Sequence, residues 1–207
     1  MGSQKDKKIM IHLSLLQKQI LYGLILGDGY LQKTGKKNAR LRLEHGQKQK
    51  EYLLWKVEVF KLLFQGKAKY IERIHPISKN KYGYWRHQSQ STPYLGHLQK
   101  IFYPNGKKEI PKDLEKYLSL KTLAVWYMDD GYFSKRDRSS YLYLGKVTKQ
   151  EAIITSRVIT KLFNLSNAIL DKKRKGYVIY FSPRSVKRLK ELLKNYILPQ
   201  FNYKFPL

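Results

Sequence analysis

The sequence predicts an α+β fold of two pseudo-symmetric αββαββα units, residues 14–112 and 113–207, behind a short basic extension at 1–13. Three observations carry that prediction. One apolar helical stretch ends in Asp28-Gly29-Tyr30, and a second ends in Asp130-Gly131-Tyr132, 102 residues later. Alternating apolar and polar residues, the period of a strand, follow each stretch. Each half then reaches a last helix opened by a hydroxyl residue and a proline, Thr92-Pro93 and Ser182-Pro183. Any one match is weak, but in the same order they indicate a tandem repeat.

The elements follow in order. Ser14 and Gln17 form a capping-box pattern before the first helix, and Ser119 stands where it can cap the second. Residues 30–45 and 132–146 read as hairpins turning at Gly35–Asn38 and Asp137–Ser140. Helices are expected at Lys48 to Phe64, with Leu53, Val57, Phe60 and Phe64 on one stripe, and at Thr148 to Phe163, where Thr148 and Glu151 repeat the capping box. Second hairpins at about 68–90 and 167–182 lead into the two last helices, whose proline suits the first helical position. Each half closes on lysine and proline, Lys108 with Pro111 and Lys204 with Pro206.

Composition narrows the function. Forty-two Lys+Arg against 15 Asp+Glu give a formal charge of +27, and the 17 tyrosines argue against disorder. Residues 1–112 carry +16 and residues 113–207 carry +11, so this is no neutral protein with a basic tail. Such charge repels itself unless a polyanion is the partner, which points to nucleic acid. The absence of cysteine excludes disulfides, thiolate catalysis and Cys-based zinc sites. No uncharged apolar run approaches the roughly 20 residues of a membrane span, so no membrane partner is expected. His12, Lys18 and the lack of a small-residue cleavage site argue against reading the start as a signal peptide.

Three of the 15 acids, Asp28, Asp129 and Asp130, sit at the ends of the two motif helices. A carboxylate there faces the negative end of the helix dipole, at a cost of roughly some tenths of a kcal/mol. A single Asp-Gly end reads first as a turn with glycine as a left-handed cap. Two such ends at matching places suggest a bound divalent cation, which reverses the unfavourable sign. Gly23 and Gly27, four apart, would let another helix approach closely. If the two helices cross on a pseudo-twofold axis, Asp28 and Asp130 emerge side by side. Paired carboxylates with metal ions under a basic surface suit phosphodiester hydrolysis.

The stretches LYGLILGDG (21–29) and LAVWYMDDG (123–131) resemble the two signature helices of the LAGLIDADG homing endonucleases, in their single-chain, intron-encoded class. The resemblance covers about residues 14–207. It implies a saddle of antiparallel sheets joined at a two-helix interface, with Asp28 and Asp130 as metal-binding acids and the carbonyls of Gly27 and Asp129 completing the coordination. It implies Lys108 and Lys204 as the active-site lysines. Two or more Mg²⁺ ions are implied, with Mn²⁺ as substitute and Ca²⁺ binding without cleavage. The family fold also implies cutting across the minor groove of a long asymmetric duplex, one strand per active site, by a monomer acting as a pseudo-dimer. An organellar location follows if the source is eukaryotic, and otherwise an intracellular one. Val125 and Asp129 depart from the pattern, replacing small residues at the places of Gly23 and Gly27, so the helix packing should be asymmetric. Asp129 adds a carboxylate expected to turn from the metals.

The hairpins supply a reading surface, since a β-ribbon fits the major groove, where Arg pairs with guanine and Gln with adenine. Candidates in the first half are Gln32, Lys33, Arg40, Arg42, Glu44, Tyr84, Arg86 and Gln88, on faces opposite Leu41, Leu43, Trp85 and His87. Those in the second half are Tyr141 and Tyr143 with the basic turns Lys135, Arg136, Arg138 and Lys172, Lys173, Arg174. His45, His75, His87 and His97 lack metal-ligand spacing and are expected to be ordinary residues. Two other readings stay open: a maturase that binds its own intron RNA without cleaving, and a structural nucleic-acid binder. The latter leaves the helix-terminal aspartates without a purpose.

Overall fold

The computed structural model describes residues 12–205; residues 1–11 of the expected basic extension and Pro206 lie outside them. The first half runs α1 (Leu15–Leu26), β1 (Tyr30–Lys33), β2 (Ala39–Gly46), α2 (Lys50–Val59), β3 (Lys69–Ile74), β4 (Lys81–Gln88) and α3 (Pro93–Phe102). The second runs α4 (Leu120–Asp130), β5 (Gly131–Ser134), β6 (Ser139–Gly145), α5 (Lys149–Phe163), β7 (Ala168–Asp171), β8 (Tyr177–Phe181) and α6 (Pro183–Leu193). A closing 3₁₀ turn spans Pro199–Lys204. Both sheets are antiparallel with the same strand order, β1-β2-β4-β3 and β5-β6-β8-β7. The fold is α+β with each half built as αββαββα.

Local chemistry sets the helix starts. Gln17 N–H donates to Ser14 Oγ at 3.2 Å and Ser14 N–H to Gln17 Oε1 at 3.0 Å, closing one capping box, and Thr148 with Glu151 closes the other. Ser119, Thr92 and Ser182 each accept from a first-turn N–H, each cap being worth about 1 kcal/mol.

Two boundaries differ from the sequence expectation. The helix expected over Lys48 to Phe64 is α2 alone, preceded by a 3₁₀ turn at Gln47–Gln49. Beyond Val59 the chain tightens, with Phe60 and Leu63 N–H donating to Val57 and Phe60 carbonyls, and still buries Phe60, Leu63 and Phe64. A tight turn buries residues three and four apart as a helix does, so the periodicity overran the helix. The second-half turn lies at Lys135–Arg138, because Ser139 and Ser140 already pair with Ser134 and Phe133.

Helices α1 and α4 pack on each other at the centre; α4 is buried almost all round, and α1 is buried over its second half, Ile20 to Leu26 with Tyr22 half-buried. A Cβ on Gly23 would stand 2.6 Å from Val125 Cβ, and one on Gly27 would stand 2.5 Å from Asp129 Oδ2. The two glycines of α1 therefore form holes that Val125 and Asp129 of α4 fill. Thr122 Oγ1 adds a 3.0 Å bond to the Gln19 carbonyl. The packing is asymmetric, as the sequence departure implied. Helices α2 and α3 cover the face of the first sheet carrying Leu31, Leu41, Leu43 and His87, which leaves its other face open. Among the described residues, no helix is long and apolar enough to cross a membrane.

Candidate active site and nucleic-acid interface

The crossing of α1 and α4 brings three carboxylates to one end. Asp28 stands just beyond α1, and Asp129 and Asp130 close α4. Neither Gly29 nor Gly131 adopts a positive φ, so the left-handed-cap reading of these ends does not hold. Gly29 is required because a Cβ there would stand 2.6 Å from the Leu24 carbonyl oxygen. Burial, then the charges of Asp28 and Asp129, push the Asp130 carboxyl up to about 7. Burial, then Asp129, also raises Asp28, against Lys56, Lys108 and Lys204. Carboxylates crowded this way repel one another's charge, and their hard oxygen donors fit a divalent cation, which relieves that repulsion.

Two lysines answer each other across the halves. Lys108 Nζ donates to the Gly27 carbonyl at 2.5 Å and to the Gly29 carbonyl at 3.1 Å. Lys204 Nζ donates to Met128 at 2.7 Å and to Asp129 at 3.2 Å, again on backbone carbonyls. Each caps the last turn of its own motif helix, where carbonyls lack helical partners. Burial lowers the pKa of both, opposed by the three aspartates. The segment of Lys108 is tied down by Glu151, whose Oε1 accepts from Ile110 N–H at 2.7 Å. The carbonyls of Gly27 and Asp129, expected to face metal, thus each accept from a lysine, and each keeps a second lone pair.

Three residues here escaped sequence reasoning. Lys56, fully buried, donates to Asp129 Oδ1 at 2.8 Å and to His45 Nε2 at 2.8 Å. Tyr52 Oη donates to the same Asp129 oxygen at 2.7 Å, and Asp28 N–H donates to Asp129 Oδ2 at 3.0 Å. His45, expected to be ordinary, lies in this cluster with Asp28 and Asp129. Since an ammonium only donates, the His45 Nε2 is an acceptor and its proton sits on Nδ1, shared with Gln49 Oε1 at 3.3 Å. Burial, then Lys56, pushes its pKa down to about 4, so it is neutral. With Nδ1 protonated it is no ligand for a cation at Asp28. The available signal was a lysine at the buried spacing Tyr52, Leu53, Lys56, Phe60.

The open sheet faces hold most of the predicted contacts. Register puts Gln32 beside Arg40, Arg42 beside Gln88 and Glu44 beside Arg86 on one face. Glu44 Oε1 accepts from Arg42 Nε at 2.7 Å and from Arg86 Nε at 2.5 Å, while Gln32 Oε1 accepts from Arg40 at 2.9 Å. Lys33 departs from this set: it pairs with Ala39, on the helix-covered face, because side chains alternate. Tyr84 is on the open face but is 6% exposed, roofed by Arg73 and Arg86 at 4.7 and 5.4 Å from its ring centroid. It supports arginines rather than offering a free ring, and Arg73 was missed.

The second sheet presents tyrosine instead. Tyr132, Tyr141 and Tyr180 line up across three strands with centroids 6.1 and 5.4 Å apart. With Tyr143, Lys135, Arg136 and Lys172 the first two line an open trough of about 700 Å³. Lys172 Nζ lies 5.4 Å from the Tyr141 centroid. Arg138, Lys173 and Arg174 are exposed on the flanking turns.

Comparisons with known proteins bear on the fold and the family. The family model described as the LAGLIDADG DNA endonuclease family matches residues 18–189. The chain is 32% identical to the probable intron-encoded endonuclease 1 of Wickerhamomyces canadensis, over 96% of this chain and 87% of that protein. It is 26% identical to the cytochrome b mRNA maturase bI2 of Debaryomyces hansenii, over 90% of this chain and 72% of that one. The solved structure of the homing endonuclease I-WcaI bound to its DNA recognition sequence matches with TM-score 0.89 and 29% identity, covering 100% of this chain and 95% of that one. Structures of I-DmoI with target DNA and Mg, or with DNA and Ca, share the fold at TM-scores 0.51 and 0.52 and 14% and 16% identity. They cover 86% and 90% of this chain and 96% and 95% of theirs.

Proposed function

The chain belongs to the LAGLIDADG DNA endonuclease family, and from that premise we propose how its own residues cut DNA. It is a site-specific DNA endonuclease. The observation that carries the finer reading is the convergence of Asp28 and Asp130 at one end of the α1–α4 crossing, near enough for the Asp28 charge to raise Asp130, with Lys108 and Lys204 on the adjoining carbonyls. Asp28 and Asp130 hold divalent cations, Mg²⁺ in the working enzyme, helped by the Gly27 and Asp129 carbonyls. Bound there, the cation supplies charge stabilisation at phosphate and a more acidic water.

The chain's own groups do the rest. Lys108 spends two donors on Gly27 and Gly29, which leaves one N–H for a phosphate oxygen. Lys204 holds the α4 end rigid in the same way. The open sheet faces seat the duplex, arginine and glutamine of the first sheet reading base edges and the turn lysines meeting phosphate. Residues 14–112 and 113–207 act as two subdomains of a monomer, each placing one aspartate at one strand across the minor groove. An organellar setting belongs to the same proposal and rests on the likeness to an intron-encoded relative.

Cleavage of a randomised duplex library by pure protein, with Mg²⁺ and with Ca²⁺ in parallel, tests this. Cuts in Mg²⁺ that converge on one long asymmetric site, and none in Ca²⁺, are expected. The likeness to a maturase supports a second reading, RNA binding without cleavage. Absence of cutting in any metal, with selective retention of a structured intron RNA, would favour it.

A further inference from the structure

Most charged groups of the active site have a counterpart in the other half: Asp28 with Asp130, and Lys108 with Lys204. Lys56 and Asp129 do not. The place of Asp129 in the first half is Gly27, and the place of Lys56 in the second half is Thr155. Thr155 is buried and its hydroxyl bonds only the Glu151 carbonyl of its own helix. Lys56 and Asp129 instead find each other across the halves, both side chains 0% exposed. Asp129 therefore fills the hole left by Gly27, and Lys56 answers the charge it brings.

The directions of the Lys56 ammonium show what it is not. One N–H goes to Asp129, one to His45, and the group lies 4.1 Å from the Tyr52 ring centroid. Nothing is left to reach a phosphate, in contrast to Lys108. Asp129 is equally committed: Oδ1 accepts from Lys56 and Tyr52, and Oδ2 from Asp28 N–H.

We propose that Lys56 is a positioning residue for cleavage: it neutralises and anchors the Asp129 carboxylate, keeping this third acid from joining the cations at Asp28 and Asp130 while Asp129 fixes the Asp28 backbone. The inference rests on the reading of Asp28 and Asp130 as cation ligands. Without Lys56, Asp129 would keep its bonds to Tyr52 and to Asp28 N–H but would hold a full, uncompensated negative charge within reach of Asp28. A cation would then be held more tightly and in the wrong place, with its coordination sites filled by protein in place of phosphate and water.

The test uses Tb³⁺ luminescence titration of the full chain together with single-turnover cleavage at a temperature where circular dichroism reports folded protein. Lys56→Met is expected to tighten Tb³⁺ binding at least fivefold and to slow cleavage at least thirtyfold. DNA affinity in Ca²⁺ should stay within threefold. The double variant Lys56→Met with Asp129→Asn should return Tb³⁺ affinity to within threefold of the parent. A purely structural lysine would leave Tb³⁺ affinity within twofold, and that result overturns the proposal. If Lys56→Met alone does not fold, the double variant decides. A tenfold loss of its Tb³⁺ affinity makes Asp129 a true ligand and sinks the inference, and retained affinity upholds it. Asp28→Asn and Asp130→Asn serve as controls expected to weaken Tb³⁺ more than tenfold. If they do not, the cation-ligand reading has failed, independently of Lys56.

Discussion

The two halves share strand order, helix order and a lysine on the last turn of each motif helix, yet their open sheets differ in kind. The first sheet carries a hydrogen-bonding array in which Arg42 and Arg86 converge on Glu44 and Arg40 meets Gln32. The second carries a row of mutually tilted tyrosines with lysine and arginine confined to the turns. The first face suits base edges, whose donors and acceptors it can match. The second offers sequence-tolerant ring contact and a phosphate-attracting rim. What the duplication preserved is the frame that fixes the helix ends. What it let diverge is the chemistry of the open sheet faces.

The largest effect is expected where the halves agree. Asp130→Asn should lower cleavage at least a thousandfold in a labelled-duplex assay while DNA affinity stays within about tenfold. It should also stabilise metal-free protein at pH 8. The folded chain keeps on Asp130 a proton that the unfolded chain has lost above about pH 4. This contribution is thus fully present at low pH and disappears as pH rises through about 7, so metal-free stability falls across that window. Asparagine removes the loss, worth at most a few kcal/mol. Thermal melts of both proteins at pH 5 and pH 8 check it; a parent melt that does not fall relative to the variant sinks it. For the same reason, cleavage at low Mg²⁺ should fail below about pH 7 and recover when Mg²⁺ is raised, since protons and metal compete for the carboxylates.

A smaller effect should expose the hole-and-knob asymmetry of the helix crossing. Gly23→Val drives a side chain onto Val125 and onto the Thr122 carbonyl, which cannot move aside. A loss of about 2–3 kcal/mol in urea unfolding is expected, the range of an overpacked core. Val125→Ala, on the other side of the contact, removes two buried methyl groups and should cost about 1–3 kcal/mol through the cavity it leaves. A Gly23→Val variant as stable as the parent would mean that the helices do not approach closely there.

The sheets can be set against each other directly. Arg86→Ala should cost about 1–3 kcal/mol of binding and relax base preference in the half-site under the first sheet. Lys172→Ala should weaken all sequences alike and flatten the salt dependence by about one unit of slope. A relaxed base preference from Lys172→Ala would erase the distinction drawn between the two faces.

The duplicated frame was readable in the chain because caps and alternation are local. Ser14, Thr92, Thr148 and Ser182 act within three residues of themselves, so their sequence signals and their structures coincide. The helix overrun past Val59 shows the limit, since a turn and a helix bury the same spacing. Lys33 shows another: its charge suggested contact, but its register places it with Ala39 on the covered face.

The sequence by itself determined the repeat, the antiparallel hairpins, the paired aspartates and the polyanion-seeking charge, because each depends on residues near one another or on composition. Only the tertiary structure decided which groups meet at the helix ends. Lys56 lies 73 positions from Asp129 and His45 lies 11 from Lys56, and no periodicity connects them. Their meeting follows from Gly27 opening space for Asp129 and from burial, which makes an unpaired charge at that depth too costly to leave alone.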